Sequence, residues 1–332
     1  MTSLHLSEDS LPSLHGKTAV ITGGASGIGL AAAHILARKG CSVHVLDLNP
    51  IHQSDLDAEP SLVDLIASGT IRYVHCDVTS WIDLRAAFDS ISRVDIAVAN
   101  AGVSEECDYF QDVLNADGEL TEPRYGVLDV NLRAVLNFTK LALRAFKAQG
   151  PGGSLVITTS ATAYSPEQSL PVYSSTKLAL VGLIRALRPS IHLYGATING
   201  VAPAATITRL LPGNLAAPIM AAGAPVSTAR HVGLAVAYSA TASQARQVEG
   251  YGRDSPAQIQ SPGRWNGRVI ITLGDAWTEI EEPMARLRWA WFGEENTRLT
   301  AFQQVLTDMR PDSQSMPDKM ENGKGATANE SG

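Results

Sequence analysis

Cysteine is scarce in this chain, and its placement argues against two kinds of structure. The 332 residues include only three cysteines, which lie more than thirty positions apart. Disulfide frameworks and zinc sites need closely spaced or paired cysteines, so neither is expected. The eight histidines are also scattered, and no two of them stand four residues apart. We therefore predict no metal site, and we predict buried free thiols in a reducing compartment at Cys41, Cys76 and Cys107.

Excess positive charge and long apolar runs are lacking as well. The formal net charge is −7, whereas a surface that binds nucleic acid needs a basic patch, so we expect no nucleic-acid partner. No apolar run approaches the ~20 residues that a membrane-spanning helix needs, so no membrane span is predicted. The chain does not start with a basic segment followed by an apolar one. This favours a cytoplasmic location over secretion.

The chain does contain a regular alternation of short apolar runs and longer helical patterns. The first run, 17–23, ends on glycine, and a helical pattern over 27–40 follows it. Near-continuous apolar strands that alternate with helices are typical of a parallel sheet covered on both faces. We predict an α/β fold, a Rossmann-like doubly wound parallel sheet. Further strands are predicted at 42–48, 71–78, 93–100, 154–160, 195–201 and 267–273. Further helices are predicted at 60–68, 80–91, 122–149, 173–194 and 229–247.

The ends of the chain and one internal stretch differ from this pattern. Residues 1–15 are interpreted as an N-terminal arm that precedes a single domain over 16–275. Residues 250–266 are rich in Gly, Pro and Ser and predict an inserted surface loop. A C-terminal extension of helices is predicted over 276–310. Residues 311–332 contain no Val, Ile, Leu or aromatic side chain, so we expect them to form a disordered tail.

A glycine-rich stretch follows the first predicted strand and opens the first predicted helix. In "TGGASGIG" (22–29), Gly23, Gly27 and Gly29 have the spacing G-x-x-x-G-x-G. Such glycines let the backbone turn tightly and bring N–H groups at a helix N-terminus close to a diphosphate. Between a strand and a helix, this spacing predicts a dinucleotide site.

Two carboxylates at predicted strand ends complete the adenosine side of this site. Asp47 ends the second strand and can accept hydrogen bonds from both ribose hydroxyls, whereas it would repel a 2′-phosphate. Neither Ala25 nor Ser26 supplies a cation for that phosphate, so we predict NAD in preference to NADP. Asp77 is expected to bind the adenine amino group, with Val78 packed on the ring.

The stretch "YSSTK" places Tyr173 four residues before Lys177, and the pair alone has several readings. It is compatible with an ordinary helix start. Ser174 and Lys177 also form an S-x-x-K motif, the nucleophile motif of penicillin-recognising enzymes, but the accompanying S-D-N and K-T-G are absent. Ser160 ends a predicted strand thirteen residues before Tyr173, at the sheet edge where ligands bind. A phenol, an ammonium and a hydroxyl there would suit acid–base chemistry.

Together these motifs closely resemble the classical short-chain dehydrogenase/reductase (SDR) family, across about 17–275. The matching stretches, in family order and spacing, are "TGGASGIG", "CDV" (76–78), "NAG" (100–102), Asn131, Ser160, Tyr173 and Lys177. The later segments look most like the fungal hydroxyprostaglandin-dehydrogenase-like branch, which implies secondary metabolism. The resemblance implies an NAD(H)-dependent oxidoreductase that is a homodimer or homotetramer associating through helices 122–149 and 173–194. The cofactor contacts that it implies, beyond those above, are Ser26, Ile28, Asn100, Ala101, Gly102, Tyr173, Lys177, Pro203, Thr206 and Thr208.

The expected chemistry is general acid–base catalysis by Tyr173. A free phenol has a pKa of ~10, and a nearby ammonium and the cationic nicotinamide ring would lower it. Lys177 would supply that charge and bind the nicotinamide ribose, while Ser160 would hold the substrate oxygen. By resemblance, Asn131 anchors a water that links Lys177 to solvent. The alternative is a protein of the same fold that binds NAD(P) but performs non-redox catalysis or only binds.

Three segments leave the substrate less defined. The usual Pro-Gly after the sixth strand is "PAAT" (203–206), and the last strand ends in "LGDAWTEIEE" instead of D-G-G. The apolar segment 207–226 is either a lid over the substrate or a helix pair packed on the core. If it is a lid, its lining selects a hydrophobic secondary alcohol or ketone, an apolar small molecule.

Overall fold

The predicted alternation of strands and helices forms one nine-stranded sheet with helices on both faces. The computed structural model describes residues 2–249 and 254–307. The strands are β1 (Ser3–Leu4), β2 (Thr18–Thr22), β3 (Ser42–Asp47), β4 (Ile71–His75), β5 (Ile96–Ala99), β6 (Gly153–Thr158), β7 (Ala196–Pro203), β8 (Thr206–Ile207), β9 (Ser227–Thr228), β10 (Ser243–Gln244), β11 (Gly263–Arg264), β12 (Val269–Leu273) and β13 (Ala276–Glu279). The α-helices are α1 (Gly27–Arg38), α2 (Gln53–Ala58), α3 (Ser61–Ala67), α4 (Trp81–Asp89), α5 (Gly126–Leu128), α6 (Ala134–Gln149), α7 (Pro171–Leu187), α8 (Gly213–Ala221), α9 (Ala229–Thr241), α10 (Pro256–Ile259), α11 (Glu281–Arg286), α12 (Arg288–Phe292) and α13 (Glu294–Thr307).

The order of the strands produces a crevice in the middle of the sheet. Across the sheet the order is β1-β13-β12-β7-β6-β5-β2-β3-β4, and the seven strands from β12 to β4 are parallel. The chain continues from β2 to β3 and β4 on one side, and then returns to β5 on the other side. In sheets of this Rossmann-like type, ligands bind at that reversal, beyond the carboxyl ends of the strands.

Two apolar layers hold the helices against the sheet. On one face α1 packs on α9, and a Cβ atom on Gly233 would lie 2.8 Å from the Ala32 nitrogen, so the close approach requires glycine. On the other face Phe138 and Phe146 of α6 pack with Leu180 of α7, and all three are buried. The contact is close, since a Cβ atom on Gly153 would lie 2.4 Å from the Phe146 ring.

Three of the observed helices differ in their bounds from the ranges that the sequence predicts. The helix predicted over 122–149 begins only at Gly126, after Pro123, and contains a π-helical turn at Asp129–Arg133. The helix predicted over 173–194 ends at Leu187, two residues before Pro189, whose missing N–H cannot continue the helical ladder. A separate 3₁₀ turn then spans Ile191–Tyr194. The predicted 229–247 helix ends at Thr241, because the chain turns extended at 242 and pairs as β10 with β11.

Both flanks of the domain contribute strands to the sheet. The segment 1–15, predicted as an arm, supplies β1, which pairs antiparallel with β13, and its Leu11 and Leu14 are buried in the core. Residues 276–279, predicted as helical, form β13, which turns back on β12. Its Trp and Thr side chains favour an extended backbone. The helical extension therefore begins at Glu281.

The inserted stretch 250–266 is only partly described. Residues 250–253 lie outside the described residues, and the rest contains the short helix α10 and strand β11. The indole of Trp265 is buried, which ties the end of this stretch to the core. The predicted tail, 311–332, also lies outside the described residues.

The cysteine prediction was wrong for one residue of the three. Cys41 and Cys76 are buried free thiols, and burial raises the pKa of each to about 12. Cys107 is exposed, because it lies in a long loop between β5 and α5. Within residues 2–249 and 254–307 no cluster of three potential metal ligands is found. No helix in these same ranges has the length and apolar character needed to cross a bilayer.

Candidate active site

The glycine stretch forms a tight turn from β2 into α1. Gly23 and Gly27 have φ angles of +62° and +51°, which glycine adopts readily. A Cβ atom on Gly29 would lie 2.1 Å from the Gly23 carbonyl oxygen, so no larger residue fits there. Ser26 precedes the helix without capping it by its side chain, and Ile28 packs against the core. The first N–H groups of α1 thus face a cradle that a diphosphate would fill.

Polar side chains at neighbouring strand ends hold this turn in place. The Asn100 side-chain amide donates to the carbonyls of Thr22 and Gly23 at 3.2 and 3.1 Å, and its oxygen accepts from the Thr158 hydroxyl at 3.1 Å. The Thr22 hydroxyl in turn accepts from the backbone N–H groups of Asn100 and Ala101. Sequence reasoning missed Thr22 and Thr158. Their shared signal is a threonine at the carboxyl end of a buried strand.

Asp47 lies where the sequence predicts it, at the end of β3 beside the glycine turn. One carboxylate oxygen accepts the Ala25 backbone N–H at 3.1 Å, and the other accepts the Asn49 N–H at 3.3 Å. The phenol of Tyr73 donates to the Asp47 carbonyl at 3.3 Å. The Asp47 carboxylate therefore lies at the end of β3, next to the glycine turn that would hold a diphosphate.

Asp77 and Val78 follow β4 at the same sheet edge. The Asp77 carboxylate accepts both the backbone N–H and the hydroxyl of Thr79, at 2.8 and 2.7 Å. Its own backbone N–H donates to Asp83 at 3.2 Å. Val78 and Ala101 line one small hollow beside α6. Asp77 and Val78 thus lie at the sheet edge where the sequence predicts the adenine ring, and the hollow itself is too small to hold that ring.

Tyr173, Ser160 and Lys177 meet at the carboxyl end of β6. The Tyr173 phenol lies beside the Ser160 hydroxyl, which opposes the rise of the phenol pKa. That hydroxyl donates to the Pro203 carbonyl at 3.4 Å and accepts the Thr162 N–H at 3.1 Å. The Lys177 ammonium, one helical turn further along α7, lies 5.5 Å from the centre of the tyrosine ring. It donates to the Thr158 carbonyl at 3.2 Å and is almost fully buried. The phenol, the hydroxyl and the ammonium therefore form one connected group.

Burial dominates the electrostatics of this group. It lowers the pKa of Lys177 to about 8. It also raises the pKa of Tyr173, which the Ser160 hydroxyl opposes. In the protein without cofactor, desolvation penalises the phenolate more than the hydroxyl stabilises it. The lowered phenol pKa that the sequence predicts belongs to the complex with NAD⁺, and it stays a prediction.

Asn131 lies beside the lysine, in the π-helical turn Asp129–Arg133. Its side chain accepts the Val103 N–H and donates to the Val103 carbonyl, both at 2.9 Å. A Cβ atom on Gly102 would lie 3.3 Å from the Asn131 oxygen and 3.4 Å from the Lys177 nitrogen. The glycine of "NAG" therefore lets Asn131 and Lys177 approach the same small space.

The segment after β7 reaches back to the glycine turn. Pro203 ends β7, and the Ala204 N–H continues the sheet pairing with a 2.9 Å bond to the Thr272 carbonyl. The buried Thr206 hydroxyl donates to the Ala204 carbonyl at 2.9 Å. A Cβ atom on Gly27 would lie 3.2 Å from the Thr208 methyl group, so Thr208 closes on the cradle. With alanine at position 204 in place of the usual glycine, the segment after β7 still lies against the glycine turn.

The segment 207–226 contains a single helix, α8, and not a helix pair. Its two ends are held together by the parallel pairing of β8 with β9. Ala216 is buried, whereas Met220 is exposed. Arg209 forms a 2.9 Å ion pair with Asp55 of α2, across the mouth of the cofactor cleft.

The S-x-x-K reading finds no support in the geometry. The Ser174 hydroxyl accepts the Glu167 N–H at 3.3 Å. The Lys177 ammonium is instead bonded to Thr158 and lies against the Tyr173 ring. The ammonium therefore lies with Thr158 and Tyr173, and Ser174 has a different hydrogen-bond partner.

Comparison with known proteins agrees with this geometry. Residues 17–216 match the short chain dehydrogenase family. A short-chain dehydrogenase/reductase of Penicillium roqueforti, prx4, is 52% identical over 310 residues, which are 93% of this chain and 90% of the relative. A short-chain dehydrogenase/reductase of Stachybotrys chlorohalonatus, ATR7, is 46% identical over 93% of this chain and 95% of its own. The crystal structure of the NADPH-dependent 3-quinuclidinone reductase of Rhodotorula rubra superposes with a TM-score of 0.58 at 25% identity, over 72% of this chain and 89% of that one.

The chain belongs to the short-chain dehydrogenase/reductase family. It is an oxidoreductase of the class that acts on CH–OH groups with a nicotinamide dinucleotide.

Proposed function

We propose that this protein interconverts a hydrophobic secondary alcohol and its ketone with NAD(H), using Tyr173 as the general acid and base. The observation that carries the proposal is the contact between the Tyr173 phenol and the Ser160 hydroxyl, with the buried Lys177 ammonium beside them. This group lies at the same sheet edge as the glycine cradle. A dinucleotide bound in the cradle would supply or accept the hydride.

The acid–base roles follow from the surroundings of each group. With its pKa raised by burial, the Tyr173 phenol holds its proton near neutral pH and can donate it to a ketone oxygen. In the reverse direction the phenolate takes the hydroxyl proton, and the ammonium of Lys177 stabilises its charge. Lys177 has a pKa of about 8, so it is mostly charged at pH 7. Ser160 holds the substrate oxygen in place.

Substitution of the proton donor tests this mechanism. Tyr173→Phe removes only the phenolic oxygen, so we expect turnover to fall by ~10²–10⁴-fold while NADH binding changes little. Lys177→Ala should weaken both turnover and NADH binding, because the lysine is expected to bind the nicotinamide ribose as well. Turnover would be measured by NADH absorbance with a panel of apolar secondary alcohols, and binding by NADH fluorescence. Near-normal turnover in Tyr173→Phe would exclude the mechanism, and NADH binding without turnover by the wild type would favour the binding-protein alternative.

We also propose NAD as the preferred cofactor. The support is the Asp47 carboxylate beside the glycine turn, where it accepts the Ala25 N–H and would meet the adenosine ribose. A 2′-phosphate would be repelled there. Asp47→Ala, or Asp47→Ser combined with Leu48→Arg, should shift preference toward NADP. The ratio of kcat/KM for the two cofactors measures the shift, and an unchanged ratio would contradict the ribose role of Asp47.

The substrate side of the proposal rests on the segment 207–226, which we infer is a lid. It carries α8, its ends are pinned by β8 and β9, and Thr208 reaches the cofactor cradle. A lid of this apolar composition would favour substrates with alkyl or aryl groups over sugars and amino acids. Higher kcat/KM for the apolar alcohols of the panel than for polyols is the expected result, and the reverse ranking would contradict it.

Self-association is the remaining part of the proposal. The two long helices predicted to associate each expose a leucine, Leu136 on α6 and Leu178 on α7, at 44% and 51% of its surface. A homodimer or homotetramer would bury them. Light scattering at micromolar concentration should show an oligomer, and Leu178→Lys should weaken it. A monomeric wild type would refute this part and leave the chemistry untouched.

A further inference from the structure

The first turn of the catalytic helix is capped by a residue from a distant loop. Tyr173 is the third residue of α7, and the backbone N–H groups of a first helical turn have no partner within the helix. The residue that precedes the helix, Leu170, provides no side-chain cap. The Tyr173 N–H instead donates to a carboxylate oxygen of Glu105 at 2.6 Å, although the two residues are 68 positions apart.

Glu105 belongs to the loop that leaves the cofactor site. This loop follows β5 and the "NAG" stretch, and its Val103 is bound through both backbone groups by Asn131. The loop also packs on α7, since Val103 and Tyr173 border one apolar cluster with the buried Tyr109. Two polar anchors, at Val103 and Glu105, therefore fix the loop between Asn131 and the catalytic tyrosine.

A carboxylate suits this position on physical grounds. The N-terminal end of a helix carries partial positive charge, so a carboxylate there is favourable. Its hydrogen bond to an N–H group is charge-assisted and stronger than one between neutral groups.

We propose that Glu105 is a positioning residue for Tyr173. Its carboxylate holds the first turn of α7, and with it the phenol, at the distance from Ser160 that proton transfer needs. This role rests on the proposed function of Tyr173 as the acid and base. Glu105 does not itself exchange a proton with the substrate.

Two substitutions separate position from charge. Glu105→Ala removes the acceptor, and we expect kcat to fall by roughly 10- to 100-fold, as small misplacements of catalytic groups do. Glu105→Gln keeps an acceptor oxygen but loses the charge, so kcat and the protection of the Tyr173 amide should be largely restored. NADH affinity should change little in both. Glu106→Ala, at an exposed neighbour, is the matched control and should behave as the wild type.

The kinetic arm uses NAD⁺ with 1-phenylethanol, or the best alcohol of the panel, over a range of pH. A second arm needs no substrate: hydrogen–deuterium exchange of a peptide that contains the Tyr173 amide. That amide should exchange faster in Glu105→Ala than in the wild type or in Glu106→Ala, and circular dichroism would check that each variant is folded. If Glu105→Ala does not fold, Glu105→Asp replaces it, because its carboxylate is one methylene shorter and is withdrawn from the Tyr173 N–H.

The outcomes distinguish this inference from the proposed function. Loss of kcat in Glu105→Ala, recovery in Glu105→Gln and faster amide exchange support the positioning role. If Tyr173→Phe is inactive while Glu105→Ala keeps wild-type kcat and amide protection, the positioning role is wrong and the proposed function stands. A folded Glu105→Gln variant that loses kcat as Glu105→Ala does would contradict the hydrogen-bond role. Normal turnover in Tyr173→Phe would remove the basis of both.

Discussion

Replacing Lys177 should make the protein more stable, whereas under the proposed mechanism it should abolish turnover. The Lys177 ammonium is 4% exposed, and its hydrogen bond goes to the Thr158 carbonyl at 3.2 Å. No carboxylate forms an ion pair with it among the residues that the structure describes. Burial alone lowers its pKa to about 8. The protein thus holds a charge that water would solvate better, and Lys177→Met removes it.

The size and sign of the effect follow from the pKa. A fall from 10.5 to about 8 corresponds to roughly 3 kcal/mol of differential interaction, at 1.36 kcal/mol per unit. The folded pKa lies below the unfolded one, so the unfolded chain binds the proton more tightly. The penalty on the folded state is therefore complete below about pH 8 and is relieved as the pH rises toward 10.5. In the Lys177→Met variant the Thr158 carbonyl loses its hydrogen-bond donor, which offsets about 1 kcal/mol of the gain in stability.

Urea denaturation without added cofactor measures the prediction. At pH 7 we expect Lys177→Met to exceed the wild type by about 2 kcal/mol in free energy of unfolding, combining the burial penalty and the lost hydrogen bond. Between pH 8 and 10 the free energy of unfolding of the wild type should rise relative to that of the variant. Lys147→Met, at an exposed lysine of α6, should show neither effect. A Lys177→Met protein that is less stable than the wild type at pH 7, with no change across this pH range, would refute the reasoning.

Three further changes test other parts of the structure. Glu281→Ala leaves the buried Arg188 without its carboxylate and should cost about 3–5 kcal/mol in urea unfolding; a loss below 1 kcal/mol would contradict the buried ion pair. Gly29→Ala should abolish NADH binding by fluorescence, because its Cβ would lie 2.1 Å from the Gly23 carbonyl oxygen; retained affinity would show that the turn opens. Arg209→Gln breaks an exposed ion pair worth ~0.2–1 kcal/mol, so NADH should dissociate up to ~5-fold faster in stopped flow, with the difference fading at high salt.

The parts of the site that depend on local chain geometry were predictable. The buried strands follow from their apolar runs, and the turn from β2 into α1 follows from the glycines that its positive φ angles require. Tyr173 and Lys177 are one helical turn apart, so any helix through them places both side chains on one face. Asp47 ends β3 and Ser160 follows the end of β6 by two residues, and the carboxyl ends of parallel strands share one edge of the sheet.

The boundaries of the helices and strands were less predictable, because local and distant hydrogen-bond partners compete for the same backbone groups. Residues 242–247 consist mainly of the good helix formers Ala, Gln and Arg, which favours continuing α9, yet β10 pairs with β11 some twenty residues later. Residues 3–4 carry no strong strand signal, and they become a strand because β13 offers an open edge. Pairing across the sheet outweighed local propensity in both places.

Residue identity and spacing along the chain predicted a dinucleotide site and a group made of a tyrosine, a serine and a lysine, and the structure brings these three side chains together. Only the tertiary structure decided how those groups are tuned. Whether the phenol pKa rises or falls depends on how much water the fold excludes from Tyr173. The cap on its helix comes from Glu105, 68 residues away, and no local pattern joins the two. Desolvation and long-range hydrogen bonds arise when distant segments pack together, and sequence spacing carries no measure of either.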